Sequence, residues 1–379
     1  MAEYLTNTTD LTKVASAIRE KGGTSDSLVY PDGFVTAIQA IQTGTELQIV
    51  ATVTSGATVT ATKGSLSVSG TSVNGTCTLI VPEAGTWSVS ATFGGQTSNT
   101  KTVSITDSYA VTLFFASSTL NDNDWSVIKS VSDAGQGANY WSIGDRKAVT
   151  LNGTVGHLTL SNYTTYAFII GFNHNKKLEG ANRIHFQRAK TALSGGTDVC
   201  FCDSEYAMDS GWTTPGAGYF VMNATNTSSG GWKSSQMRTK ICGTSLSSYS
   251  GKIIAVIPAA LRAVLKSVKK YTNNTGNSSA ASAVTATTDY FFLLSEFEVF
   301  GSIKYGNTNE KNKQAQYAYY SAGNSKIKYE HNDTSTDAIW WLRSPIASNS
   351  TSFVSVYSDG TVSYYGASYS LGFAPGFCV

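Results

Sequence analysis

The chain has 379 residues, enough for two or three domains, and 41% of them are hydrophobic, which excludes a disordered chain. Only 14% are charged, and 27 Lys and Arg against 25 Asp and Glu leave a net charge of +2, which argues against a nucleic-acid binder. The 35 Gly and 20 Tyr, with many Ser, Thr and Asn, indicate short strands and turns, so we expect a mostly β, globular protein.

The sequence contains no targeting or membrane segment that we recognise. No stretch approaches the roughly 18 apolar residues of a membrane span, and Met1 to Gly23 lacks the apolar core of a signal peptide. We therefore expect no membrane insertion and no secretion signal. The cysteines are few and scattered, and we interpret them as reduced core thiols. They are Cys77, Cys200, Cys202, Cys242 and Cys378.

Residues 1–45 carry two short helical patterns. Leu11, Val14, Ala15 and Ile18 form one apolar stripe, which ends at Gly22-Gly23. A second stripe, Phe34, Ile38 and Ile41, follows the turn at Tyr30-Pro31-Asp32-Gly33. Two helices this short cannot form a core alone. We predict an attachment or oligomerisation segment, with a helical hairpin packed on its neighbour as the alternative.

Residues 46–108 change to a period of two. Several short strands separated by turn residues such as Ser69-Gly70 and Gly94-Gly95 predict a small β-sandwich spacer, with Trp87 in its core. The predicted strands are Leu47–Val53, Thr58–Thr62, Cys77–Val81, Trp87–Phe93 and Lys101–Thr106.

Residues 109–379 mix strands with a few helices and long polar connections, which predicts an α+β domain. Trp125, Ile128 and Val131 share one helix face, and residues 249–271 predict helix, with a new helix beginning at Pro258. The predicted strands are 148–151, 166–170, 290–294 and 352–356.

Five motifs in this region carry a family resemblance. They are Trp125–Ile128, Tyr140–Asp145, Gly230–Arg238, Leu293–Gly301 and Trp340–Pro345, the last reading Trp-Trp-Leu-Arg-Ser-Pro. In this order they resemble a prokaryotic and phage domain family related to the C-type-lectin-like fold, which includes ligand-binding variable proteins diversified by retroelements. The resemblance covers about residues 109–379. The family usually ends in a Gly-Val-Arg-Pro-like run, whereas this chain has Gly372-Phe373-Ala374-Pro375.

A second resemblance lies at the N-terminus. Val14–Thr24, Tyr30–Phe34 and Ala37-Ile38 are similar to the opening of tail-associated proteins in phages of Gram-positive gut bacteria. The two resemblances together imply a layout of an attachment segment, an Ig-like spacer and a lectin-like tip.

The last forty or so residues predict a ligand surface. Apolar residues that we assign to the core alternate there with runs of Ser, Asn, Thr and Tyr, a composition typical of binding loops. Asn, Ser, Thr and Tyr also result when adenines of an Asn codon are replaced, as in retroelement-diversified genes. An ordinary polar hairpin surface is the alternative. The predicted ligand-binding residues are Ser348, Asn349, Ser350, Thr351, Tyr357, Ser363, Tyr364, Tyr365, Ser368, Tyr369 and Ser370.

We find no catalytic motif. The four histidines are scattered without metal-ligand spacing, and no nucleophile elbow, phosphate-binding loop or calcium loop occurs. Cys200 and Cys202 lack a matching redox motif. Glu296 and Glu298 lie on one face of a predicted strand, where we expect buried, fold-supporting roles. We therefore predict no catalytic residue, no metal, no cofactor and no enzymatic activity.

The sequence thus favours a phage tail or tail-fibre receptor-binding protein that attaches to a host through a bacterial surface protein or glycan. Other tail proteins would bind the N-terminal segment, and we expect a homo-oligomer, a trimer being one such arrangement. The protein would be assembled in the host cytoplasm and act in the virion. A tail-associated glycan hydrolase and a purely structural tail component remain as alternatives.

Overall fold

The computed structural model describes residues 8–22, 27–40, 46–203, 205–206 and 220–379. The chain divides into two compact units, Met1–Phe115 and Ala116–Val379, and is mostly β, with several sheets and mainly short helices. Within the described part of the chain, no helix has the length and apolar character needed to cross a membrane.

Two helices begin the first unit, as the sequence predicts. They are α1, Thr8–Gly22, and α2, Asp32–Ala40. Ala15 and Ile18 of α1 pack with Phe34 of α2 in a small core of their own. Predicted residue Ile41 lies outside the described residues.

Eight strands follow in this unit. They are β1 Gln48–Thr52, β2 Thr58–Lys63, β3 Leu66–Thr71, β4 Thr76–Ile80, β5 Gly85–Phe93, β6 Gln96–Thr97, β7 Lys101–Ile105 and β8 Ser108–Thr112. All five predicted strands are present. The predicted turn at Ser69-Gly70 is wrong, because both residues belong to β3. The side chains of β3 are at most half-buried, so the strand gives only a weak hydrophobic alternation.

These strands form two sheets around a common core. One sheet has the order β4-β1-β8, and in the other β5 pairs with β2, β6 and β7, with β3 at the edge. Trp87 is fully buried in the core, as predicted, and its Nε1 donates to the Glu83 carbonyl at 3.1 Å. Strand β8 runs parallel to β1 and pairs along its whole length, so this unit extends to Phe115 rather than to the expected boundary at residue 108.

The second unit contains short helices and longer strands. Its helices are α3 Trp125–Asp133, α4 Gly137–Tyr140, α5 Lys176–Glu179, α6 Gly231–Ser234, α7 Ile253–Val256, α8 Ala259–Arg262, α9 Glu296–Phe300 and α10 Ala318–Ser321, with 3-10 turns at Leu120–Asp122, Ala281–Ala283 and Thr308–Asn312 and a π turn at Met237–Cys242. Its strands are β9 Arg146–Val155, β10 Leu158–Phe172, β11 Ile184–Lys190, β12 Val199–Cys200, β13 Val268–Asn273, β14 Val284–Asp289, β15 Phe291–Phe292, β16 Lys328–Glu330, β17 Asp337–Ala338, β18 Trp340–Pro345, β19 Ser352–Val356, β20 Val362–Gly366 and β21 Gly376–Cys378.

A five-stranded sheet of order β15-β21-β11-β10-β9 is the largest in this unit. Strand β21 lies between β11 and β15 and pairs antiparallel with both. The Trp125 ring of α3 contacts Phe186 of β11 and Phe377 of β21, with ring centroids 5.7 and 6.2 Å apart. The remaining sheets are β12-β16-β17, β13-β14 and β18-β19-β20. The last of these, together with the two loops that connect its strands, carries eight of the eleven predicted ligand residues.

Two local predictions for this unit are wrong. The predicted helix over 249–271 ends early, because Val268–Tyr271 belong to β13, although α8 does begin directly after Pro258. Glu296 and Glu298 lie in helix α9 rather than in a strand. Ser295 caps this helix: its Oγ accepts from the Glu298 N–H, and the Glu298 carboxylate accepts from the Ser295 N–H.

Candidate functional site

The hairpin of β19 and β20 places the predicted tyrosines on two faces of one sheet. Val354 pairs with Tyr364 and Phe353 with Tyr365, and the turn between the strands is closed by the Tyr357 N–H donating to the Thr361 carbonyl at 2.8 Å. Because successive residues of a strand face opposite sides, Tyr364 and Tyr365 point in opposite directions. Among the described residues, strand β20 pairs only with β19 and so lies at the edge of this sheet. The predicted surface is therefore divided into two aromatic groups, one on each face of this sheet.

The first aromatic group is built around Tyr365. Its ring lies 5.7 Å from that of Tyr206 and 6.2 Å from that of Tyr369, and the Tyr206 and Tyr365 side chains also hydrogen-bond. Partial burial raises the pKa of Tyr365, and burial together with the nearby Glu205 carboxylate raises the pKa of Tyr206. These phenols stay protonated at neutral pH and can donate hydrogen bonds to a ligand. Tyr357, which is 39% exposed, lies near both phenols.

The second aromatic group joins Tyr364 to Tyr305. Their rings meet edge to face with centroids 4.9 Å apart, and the Lys304 ammonium lies 4.9 Å from the Tyr305 ring centroid. The buried Glu296 carboxylate holds this loop in place, accepting from the N–H groups of Tyr305 and Gly306. Tyr364 is 45% exposed, so the group presents an aromatic edge on a fixed support.

The loop from Ser348 to Thr351 connects β18 to β19 and is also held by hydrogen bonds. The Asn349 side chain accepts from the N–H of Thr351 at 2.6 Å, and the Ser228 N–H donates to the Ser350 carbonyl at 2.7 Å. The Ala347 N–H donates to the Tyr305 carbonyl at 3.0 Å, which ties the loop to the second aromatic group. Ser348 and Ser350 are exposed on this loop, whose backbone is held by these hydrogen bonds.

The structure divides the eleven predicted residues by exposure. Ser348, Ser350, Tyr357 and Tyr364 are exposed, whereas Asn349, Thr351, Ser363, Tyr365 and Tyr369 are half-buried. Ser368 and Ser370 are buried, so their assignment to an exposed surface is wrong. After β20 the chain turns into the core, where the Tyr206 N–H donates to the Ser370 carbonyl at 2.9 Å. The serine-rich composition alone could not show this change of direction.

Sequence reasoning missed Tyr206 and Tyr305. Each is far along the chain from the terminal hairpin and reaches it only through tertiary packing. Tyr305 follows the Leu293–Gly301 motif closely, and that proximity was the one signal available.

The hairpin rests on a core that contains the family-like motifs. Trp340, Trp341 and Trp232 are fully buried, as expected for core residues. The Trp341 Nε1 donates to the Phe220 carbonyl at 2.9 Å, and the Trp232 Nε1 donates to the Asp289 carboxylate at 3.0 Å. The indole N–H groups are satisfied, so these rings act in packing.

Beneath this core lies a buried ionic cluster. Arg343 binds both oxygens of the Glu298 carboxylate, and its Nε donates to the Thr272 hydroxyl at 2.8 Å. The Lys270 ammonium donates to Glu179 at 2.8 Å and to Glu298 at 3.0 Å. The neighbouring cations, Arg343 above all, hold the pKa of Glu298 well below its usual range despite complete burial. The expected fold-supporting role of Glu298 agrees with these contacts.

His174, Glu179 and Glu298 could in principle ligate a metal, since their donor atoms lie within 4.8 Å of one another. Lys270 already donates to both carboxylates, so its ammonium supplies the positive charge that a metal ion would bring. Burial and the Lys270 charge lower the pKa of His174 to about 3, which keeps its imidazole neutral. This cluster is therefore best explained as a charge-balanced structural core.

The five cysteines are buried, and none of them forms a disulfide bond. Burial raises the pKa of Cys378 to about 12 and that of Cys200 well above its usual range. A raised pKa lowers the fraction of thiolate, so burial does not activate either sulfur as a nucleophile.

Comparison with known proteins gives one family match. Residues 219–379 match a family described as a domain of unknown function, DUF6273. The match includes the ionic-cluster residues Lys270, Glu298 and Arg343 and the whole β18-β19-β20 sheet. A search of curated proteins found no match.

Proposed function

We propose that this protein is a receptor-binding protein of a phage tail, whose second unit binds a bacterial surface ligand without chemical change. The observation that carries this proposal is the pair of tyrosine groups beside the edge strand β20. Exposed tyrosines on a rigid backbone offer large contact area at little entropic cost, and such aromatic residues dominate binding energy at interfaces.

In this proposal the second unit is a C-type-lectin-like domain and the strands from Gln48 to Thr112 form an Ig-like spacer. The family-like motifs support the first assignment, because Trp125, Trp232, Trp340 and Trp341 all pack in buried positions. The two sheets around Trp87 support the second. Neither region needs catalytic groups for these roles.

The N-terminal helices serve as the attachment or oligomerisation segment. Their shared core is small, and among their described residues three large aliphatic side chains are exposed: Val14 at 47%, Val35 at 51% and Ile38 at 53%. Apolar surface of this kind is stabilised by contact with another protein. We propose that tail proteins or further copies of this chain cover it, a trimer being one arrangement.

The exposed side chains of the terminal hairpin would be the diversified positions. Ser348, Ser350, Tyr357 and Tyr364 extend from a backbone that is fixed by hydrogen bonds and by a buried core, so substitutions there change the surface and spare the fold. A genomic test is a nearby reverse-transcriptase gene with an imperfect repeat of the segment encoding residues 340–379, differing only at adenines. Finding neither would remove diversification from the proposal.

The binding test uses the fluorescently labelled full chain and a panel of intact bacterial strains. For a strain that binds the protein, Tyr364→Ser and Tyr365→Ser should weaken binding by roughly 1–3 kcal/mol, about fivefold to 150-fold, as interface anchors do. Tyr109→Ser is the matched control, because Tyr109 is 47% exposed and lies in the first unit. Folded variants that bind as well as the unchanged protein would contradict the proposal.

A glycan hydrolase is the second candidate, and one observation favours it. Burial, with a smaller contribution from the neighbouring Glu330 carboxylate, raises the pKa of Glu205 to about 7, the range of a general acid. Glu205 also accepts a hydrogen bond from the Ile339 N–H at 2.6 Å. Release of reducing sugar from host envelopes, abolished in Glu205→Gln, would favour hydrolysis over binding alone.

A further inference from the structure

A polar pocket in the second unit lies between α5 and the hairpin of β13 and β14. Its volume is about 360 Å³, within the range typical of small-molecule pockets. Three cationic side chains line it: Lys177 from α5, Arg183 from the segment before β11, and Lys269 from β13. None of the tyrosine-group residues lines this pocket.

Arg183 is fixed at the wall of the pocket. Its Nη1 donates to the Ala181 carbonyl at 2.9 Å and its Nη2 donates to the Ser267 carbonyl at 3.1 Å. Gly180 has a φ of +99°, and a Cβ there would lie only 2.2 Å from Nη1 of Arg183. The absence of a side chain at Gly180 therefore lets the guanidinium lie directly against the backbone.

The positive charge of the pocket is not balanced by nearby carboxylates. Among the described residues, Glu179 is the one acidic residue that lines it, and its buried carboxylate accepts a hydrogen bond from the Lys270 ammonium on the inner side. Asp133, beside the nearby Lys266, is already paired with Lys129 and Lys266. Among the described residues, Lys177, Lys269 and Arg183 have no carboxylate within salt-bridge distance. A concave site lined by one sign of charge concentrates ions of the opposite sign.

We infer that this pocket binds a phosphate group. Lysine ammonium groups on separate walls can each reach a different oxygen of a tetrahedral anion, whereas a carboxylate presents only two oxygens in one plane. Ser267 and Thr288 also line the pocket, and each carries a hydroxyl that can donate a hydrogen bond. The volume leaves room for the group to which the phosphate is attached. The pocket would thus take free phosphate or the phosphate of a larger surface molecule.

The test measures binding of inorganic phosphate and of dimethyl phosphate to the full chain by calorimetry, at constant ionic strength. The variant Lys177→Gln/Lys269→Gln removes two exposed charges that have no packing role, and it should weaken phosphate binding at least tenfold. The matched control is Lys101→Gln/Lys311→Gln, which makes the same change in net charge elsewhere. Binding of dimethyl phosphate as well as inorganic phosphate would point to a phosphodiester as the natural ligand.

Several results would overturn the inference. These are the absence of phosphate binding, equal weakening in the control variant, and binding of acetate as tight as that of phosphate. The inference does not depend on the proposed function. Cell binding that is lost in the Tyr364 variant but kept in the lysine variant would separate the two sites.

Discussion

The guanidinium of Arg343 and the carboxylate of Glu298 form a doubly hydrogen-bonded ion pair that is completely buried. Arg343 comes from the Trp-Trp-Leu-Arg-Ser-Pro strand and Glu298 from α9, so the pair joins the sheet that carries the tyrosine groups to the helix beside it. Lys270 of β13 adds a second cation to the same carboxylate. The position of the proposed ligand surface therefore depends on an interior electrostatic contact.

Glu298→Gln should destabilise the second unit by roughly 3–5 kcal/mol, because it leaves Arg343 and Lys270 buried without their shared counter-ion. Urea denaturation followed by circular dichroism measures the loss. Lys129→Gln, which breaks a partly exposed ion pair with Asp133 on α3, is the control and should cost less than about 1 kcal/mol. Similar losses in both variants would contradict this account of the cluster.

The difference in unfolding free energy between Glu310→Gln and the unchanged protein should shift in favour of the variant as the pH rises from about 4.5 to 7. Burial raises the pKa of Glu310 to about 7, so in this interval the folded protein holds a proton that the unfolded chain has released. Stability from this group is thus present at low pH and lost as the pH rises through 7. The change is on the order of 3 kcal/mol. The measurement is the unfolding free energy of both proteins across this pH interval. A difference between them that does not change with pH would refute the prediction.

Trp341→Ala should cost roughly 3–5 kcal/mol, the range for removing a large aromatic ring from a core. The ring is fully buried, and its N–H bond to the Phe220 carbonyl would be lost as well. Trp341→Phe keeps most of the packing and should cost clearly less. A thermal melt that Trp341→Ala leaves unchanged would contradict the core assignment.

Replacing Val14, Val35 and Ile38 by Lys should reduce the oligomeric mass of the full chain, because charges on these exposed apolar positions oppose association. Sedimentation equilibrium measures the mass. Val73→Lys is the control, since Val73 is 68% exposed and lies outside the helices. A monomeric mass for the unchanged protein, with tail incorporation unaffected in the triple variant, would remove the attachment role.

Local periodicity by itself determined a large part of the secondary structure. The alternation in Thr58–Thr62 and the helical stripe of α3 depend on neighbours within a few residues, so the sequence predicted both correctly. Ser352–Val356 is a strand, as predicted, but all five of its residues are buried, so the expected alternation of core-facing and outward-facing residues is wrong there. The sequence also predicted a surface of tyrosine and serine near the C-terminal end; on β20 Tyr364 is exposed and the other four residues are half-buried.

Only the tertiary structure decided which of those residues share a face and what supports them. Tyr206 and Tyr305 join the terminal hairpin from distant parts of the chain, and Ser368 and Ser370 leave the surface because the chain turns into the core. The same holds for Lys270, whose charge is compensated by Glu179 and Glu298 from other elements. Such contacts depend on how the sheets pack, and side-chain spacing along one strand contains no information about them.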